Sequence, residues 1–155
     1  MRLEAYGIRV DLPEGWDGRI SRRPGGDPTL HAGNFPLPAE DGEFGSGALA
    51  TMGPGGVFLT LTEYDPAGAG RGLFASNGAP RSLRPGDLDP NALQRRIRGQ
   101  AGAQRFFTEA DRTWCLYVVA GSVPSRSTLV EKANTVLGSV RIAPWRPPAG
   151  EGPGP

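Results

Sequence analysis

Apolar and charged residues alternate along "GIRVDLPEGW", residues 7–16, until Pro13 and Gly15 break the run and Trp16 follows. Ile8, Val10 and Leu12 share one phase of the alternation, whereas Leu3 and Ala5 share the other. Strand side chains alternate with a period of two, so the change of phase at Tyr6–Gly7 requires an inserted residue or a turn. Residues 2–12 therefore read as one bulged strand or a tight pair of short strands. Proline cannot donate to a ladder and glycine tolerates positive φ, so Pro13 and Gly15 end the strand in a turn. Trp16 then meets the sheet end, where it caps the core; the alternative is an exposed ligand-stacking residue.

The same reading predicts strands over 17–23 and 29–35, with Leu30, Ala32 and Asn34 on one face and His31, Gly33 and Phe35 on the other. Residues 36–56 are dominated by turn formers and form either a long loop or weak strand pieces around 48–52. "VFLTLTEY" at 57–64 is a strand apolar on both faces, which implies cover on each side. Loops follow at 65–72 and 77–87, with Leu73 and Phe74 as an anchor between them. Asp89 and Pro90 have the form of an N-cap and first turn, and Leu93 and Ile97 lie four apart, predicting a short helix over 89–98 stopped by Gly99. Residues 103–109 and 113–120 read as a hairpin around Ala110–Arg112, its second strand central in the sheet. Leu129, Val130, Ala133, Val136 and Leu137 form the stripe of a main helix over 125–138, with Thr128 and Glu131 at capping-box spacing and Gly138 at its end. A last short strand falls at 139–142.

Composition narrows the class. A chain of 155 residues fits one domain. The domain spans 1–143, and the Pro/Gly-rich run at 144–155 is expected to be a disordered tail, Trp145 being its one residue suited to packing. One cysteine, Cys115, allows no internal disulfide. The net charge is +1, and Lys132 is the only lysine, a bias that reflects coding composition rather than an arginine-dependent function. No apolar run approaches a membrane span and no export signal opens the chain, so the expected setting is cytoplasmic.

Candidate chemistry is sparse. His31 is the only histidine, and neither C-x-x-C nor H-E-x-x-H is present, so no metal site or cofactor is expected. Cys115 lies in an apolar strand, where thiols are inert. "GEFGSG" at 42–47 and "GAGRG" at 68–72 lack the phosphate-loop frame and read as flexible loops. Weak ligand-binding candidates are His31, Asn34 and Trp16. Arg95, Arg96 and Arg98 in "QRRIRGQ" are the weak partner-binding candidates, facing an acidic protein surface; the neutral domain and the lack of interleaved aromatics argue against nucleic acid.

The opening "GIRVDLPEGW", the strand "VFLTLTEY", the hairpin ending in "WCLYVVAG" and the closing "LVEKANTVLGSVRI" together resemble the PsbP-like fold family, including its bacterial members. Trp16 matches the opening motif, and Leu137, Ser139 and Ile142 match the closing one. The resemblance does not reach 36–56 or 65–87. It implies an α+β domain: a twisted antiparallel sheet of about six strands with one main C-terminal helix and one short helix packed on it. It also implies a non-enzymatic protein-binding or assembly module, since the family shares no catalytic residue set. The alternative is a small-molecule-binding domain or minor enzyme with a pocket between sheet and helix.

Overall fold

The computed structural model describes residues 1–148. The chain has the expected α+β fold of antiparallel strands with one main and one short helix; its described residues form eight strands, divided between a sheet of three and a sheet of five, where one sheet of about six was expected. The first sheet contains β1 (Arg2–Ala5), β2 (Ile8–Asp11) and β8 (Arg141–Ile142), in that order. The second contains β3 (Asp17–Ser21), β4 (Thr29–Gly33), β5 (Val57–Glu63), β6 (Ala101–Glu109) and β7 (Arg112–Ala120), in the order β3-β4-β5-β7-β6.

The phase change near the N-terminus resolves as a tight pair. Tyr6 and Gly7 both adopt positive φ, 52° and 77°. Two such residues match the twist of a two-residue hairpin. Ala110 and Asp111, at 56° and 58°, do the same between β6 and β7.

The main helix α2 (Arg126–Leu137) buries the predicted stripe from Leu129 to Leu137 against one face of the large sheet. That face carries Leu30, Leu59, Leu61, Leu116, Val118 and Phe107, joined by Ile8 and Val10 of β2. Ser125 occupies the N-cap, so Thr128 and Glu131 fall inside the helix and form no capping box. Asn134 reaches back from α2 to clamp Leu83, accepting from its N–H at 2.7 Å and donating to its carbonyl at 2.9 Å.

The short helix is α1 (Ser46–Thr51), within the stretch expected to be loop or strand. It covers the opposite face, where Ala48, Leu49 and Met52 pack with Phe58, Tyr117 and Val119. The expected helix over 89–98 does not form. The Asp89 backbone instead pairs with Gly102 through N–H···O bonds of 2.8 and 3.0 Å, and its carboxylate accepts from Asn91 N–H in a local turn. Leu93 and Ile97 are half-buried, packing against the α1 cluster from irregular chain, and the Tyr117 hydroxyl accepts the Gln94 N–H.

One buried ion pair, within the large sheet, lies where the two sheets meet. Arg112 Nε and Nη2 donate to Glu63 Oε2 and Oε1 at 2.8 and 2.7 Å, and both side chains are buried. Arg112 Nη1 donates to the Ala143 carbonyl at 2.9 Å. The guanidinium lies 4.5 Å from the Trp114 ring centroid and 5.8 Å from that of Trp145. A Cβ on Gly7 would come within 2.6 Å of both Ala143 O and Arg112 Nη1, so the close approach admits only glycine. Trp145 thus packs onto the domain. The remainder of the expected disordered tail, from 149 on, lies outside the described residues.

Removing one partner strands a buried charge, so Arg112→Ala is expected to cost about 3–5 kcal/mol in urea unfolding. The double variant Glu63→Leu/Arg112→Met, which leaves neither charge, should recover much of that loss.

Candidate functional site

Two surface concavities stand out among the described residues. The first is a cleft of about 530 Å³ over β3 and β4. Strand pairing builds its floor: Arg19 lies opposite His31 and Ser21 opposite Thr29, and all four line the cleft. One wall is the 39–43 segment with Glu40, Asp41 and Glu43; the other is the 22–27 turn with Arg22, Arg23 and Asp27.

Asp41 fixes the first wall. Its Oδ1 accepts from the N–H groups of Gly42 and Gly47, and its Oδ2 from that of Ala48, each at 2.9 Å. The last two are otherwise unpaired amides in the first turn of α1, so Asp41 caps that helix from outside it. Burial opposes ionisation of the carboxyl, but these amides outweigh it and hold Asp41 below the ordinary value of 3.8. Asp27 moves the other way, raised by burial first and then by the charges of Glu63 and Asp65.

His31 is 6% exposed, and its ring meets Phe58 edge-on at 5.6 Å. Its Nε2 lies 3.1 Å from the Glu43 carbonyl. A carbonyl only accepts, so Nε2 carries the proton and Nδ1 of the neutral ring presents a lone pair. Burial is the largest influence on the ring and pushes its pKa below 6.5, Arg19 adding to the effect. On the same face, Thr60 lies opposite His31 and Thr62 opposite Thr29. The hydroxyls of Thr60 and Thr62 are buried without a hydrogen-bond partner among the described residues.

The other ligand candidates do not join His31. Asn34 is a structural clamp: its Oδ1 accepts from Val57 N–H at 2.7 Å and its Nδ2 donates to Gly55 O at 3.0 Å. Trp16 is half-buried against the core beneath α2, on the other side of the sheet. Cys115 is fully buried, and burial pushes its thiol up to about 11. Among the described residues, no group of three or more His, Cys, Asp and Glu side chains is gathered to hold a metal ion. No helix among them is long and apolar enough to cross a membrane.

The second concavity is a groove beside α1, formed by adjoining hollows of about 340 and 480 Å³ that share Ile97, Arg98, Gly99 and Gln100. Leu49, Met52 and Pro54 supply apolar lining at one end, Pro90 and Val123 at the other. Arg95, Arg96 and Arg98 are exposed, and the last two line the groove. Gln100 is buried and donates through Nε2 to the Leu49 carbonyl at 2.9 Å, while its Oε1 has no partner among the described residues.

Sequence reasoning singled out His31, Arg96 and Arg98 but not Arg19, Asp41, Glu43 or Gln100. The cross-strand pair Arg19–His31 depends on register, and Asp41 works by folding back onto a helix that no local signal announces. The glycines of 42–47 serve that helix: Gly45 has φ of 70°, and the Phe58 ring lies where its Cβ would be.

No family model, curated protein or solved structure matches the chain.

The shifted histidine has a signature in stability. Just below pH 6.5 the unfolded chain binds a proton that the folded chain resists, so stability falls as pH drops through that value toward the folded pKa. Urea unfolding of the wild type between pH 5 and 7.5 should show this loss as an excess over His31→Gln, since the carboxylates titrate alike in both proteins.

Proposed function

We propose that this chain is a non-enzymatic protein-binding module, a cytoplasmic adaptor of PsbP-like build, which recognises its partner through the groove beside α1. The observation that carries the reading is the groove itself: apolar lining bordered by Arg96 and Arg98, with Arg95 exposed nearby. An apolar floor with a charged rim is the anatomy of a protein-recognition surface. The basic rim favours a partner segment with an apolar side chain flanked by carboxylates.

The PsbP-like reading draws support from how its motif residues join the chain ends. Ser139 Oγ accepts from Asp11 N–H at 3.0 Å, and Ile142 pairs with Ile8. Trp16 packs where the opening turn meets the core. The adaptor reading also agrees with the chemistry of Cys115. A thiol held near 11 in a sealed strand is no nucleophile at neutral pH.

Tagged wild-type protein should co-purify a discrete acidic partner from its native host in a salt-sensitive manner. Arg96→Glu/Arg98→Glu should lose that partner while its unfolding free energy stays within about 0.5 kcal/mol, as expected for exposed positions. Recovery of the protein alone at every salt concentration would overturn the adaptor reading. Unchanged recovery by the double variant would overturn the assignment of the groove.

A further inference from the structure

The cleft over β3 and β4 differs from the groove in both shape and charge. Its volume of about 530 Å³ falls in the range of small-molecule sites. Its charges are segregated. The 39–43 wall carries three carboxylates, of Glu40, Asp41 and Glu43. The floor and opposite wall carry two guanidinium groups, of Arg19 and Arg23, with Asp27 the exception on that side; Arg22 also lines the wall, but its guanidinium stacks 5.1 Å from the Trp145 ring centroid. Asp41 contributes charge only, because its oxygens already accept three backbone bonds. Arg19 and Arg23 form no ion pair among the described residues.

A second feature points to a ligand. His31 is 94% buried, from its exposure of 6%, and lines the floor. With Nε2 held by Glu43, its Nδ1 makes no hydrogen bond among the described residues. The depressed pKa keeps that nitrogen an acceptor at neutral pH. A lone pair set below a carboxylate wall suits a positively charged donor.

We propose that the cleft binds a small zwitterion, an amine–carboxylate of amino-acid or dipeptide size, with its ammonium between His31 Nδ1 and the Glu40–Glu43 wall and its carboxylate against Arg19 and Arg23. A simple anion would answer the arginines but face the carboxylate wall. A simple cation would answer the wall but face the arginines. A neutral polyol would desolvate both walls and pair with neither. A dipolar ligand lying across the cleft satisfies both sides and the imidazole together. The inference stands apart from the adaptor reading, since the two surfaces share no lining residue.

Because His31 is the only histidine, its ring C–H resonances report on the cleft alone. The probes are free L-amino acids and glycylglycine, each added at about 10 mM, tenfold above a millimolar Kd. Isotope-labelled wild-type protein at pH 7.5 should show saturable movement of the His31 resonances with at least one probe. The N-acetylated and C-amidated analogues of that probe should each bind at least about tenfold more weakly, a loss of about 1.4 kcal/mol. Arg23→Gln, at an exposed position, should weaken binding comparably without altering the unfolding transition. Resonances that stay still across the whole panel would overturn the proposal. So would blocked analogues that bind as well as the free zwitterion, or an Arg23→Gln protein that binds unchanged.

Discussion

The joining of the two sheets depends on the buried pair of Glu63 and Arg112, because the N-terminal turn and the C-terminal segment meet there. Glu63 ends β5 and Arg112 begins β7, so the pair locks the two central strands at one end. The third donor of Arg112 holds Ala143, whose own N–H donates to Gly7 O at 2.8 Å. Tyr6 and Trp145 close over the site with their rings 5.3 Å apart. A small sheet made from the first eleven residues and two residues near the end could not bury enough surface to fold alone. It is held by the Arg112 bond to Ala143 and by Ile8 and Val10, which pack into the core of the large sheet. The pair also fixes register: a one-residue slip of β7 would carry Arg112 to the opposite face and leave Glu63 buried without a counter-charge.

With that end of the sheet sealed, the two faces divide their tasks. The face under α2 is filled by aliphatic side chains and a tightly packed helix. The opposite face receives only a six-residue helix and irregular chain, and its buried residues include Thr60, Thr62, Thr113 and His31. Such cover leaves hollows: the cleft opens on this side, and the groove beside α1 runs to the start of α2. Loops laid over a rigid sheet give a binding surface whose floor stays fixed while its rim varies.

The strands and the main helix were legible because their signals are local. The Tyr6–Gly7 phase change, the two-faced pattern of 113–120 and the stripe from Leu129 to Leu137 each appear within a dozen residues. The helix expected over 89–98 failed for an equally physical reason. Its signal was two apolar residues and a cap, and backbone pairing of Asp89 with Gly102 redirected the cap while Leu93 and Ile97 found partial burial without a helix. The helix at Ser46–Thr51 was hidden because its cap comes from Asp41 and its apolar contacts come from β5 and β7. The site was legible only in fragments. His31 and the arginines stood out by rarity or density, but Asn34 and Trp16 proved to be structural. The charge segregation of the cleft exists only once strand register and loop closure have set the walls.

Helix α1 ties the two hollows together mechanically. Its first turn is capped by Asp41 of the cleft wall, and Leu49 and Met52 near its end line the groove. Six residues give few internal hydrogen bonds, so α1 persists through its cap and its packing rather than through helix propensity. A ligand that drew Asp41 away from the Gly47 and Ala48 amides would loosen the helix that shapes the groove. One that left Asp41 in place and ordered the 39–43 wall would stiffen it. A helix of six residues is therefore tied both to the wall of the cleft and to the lining of the groove.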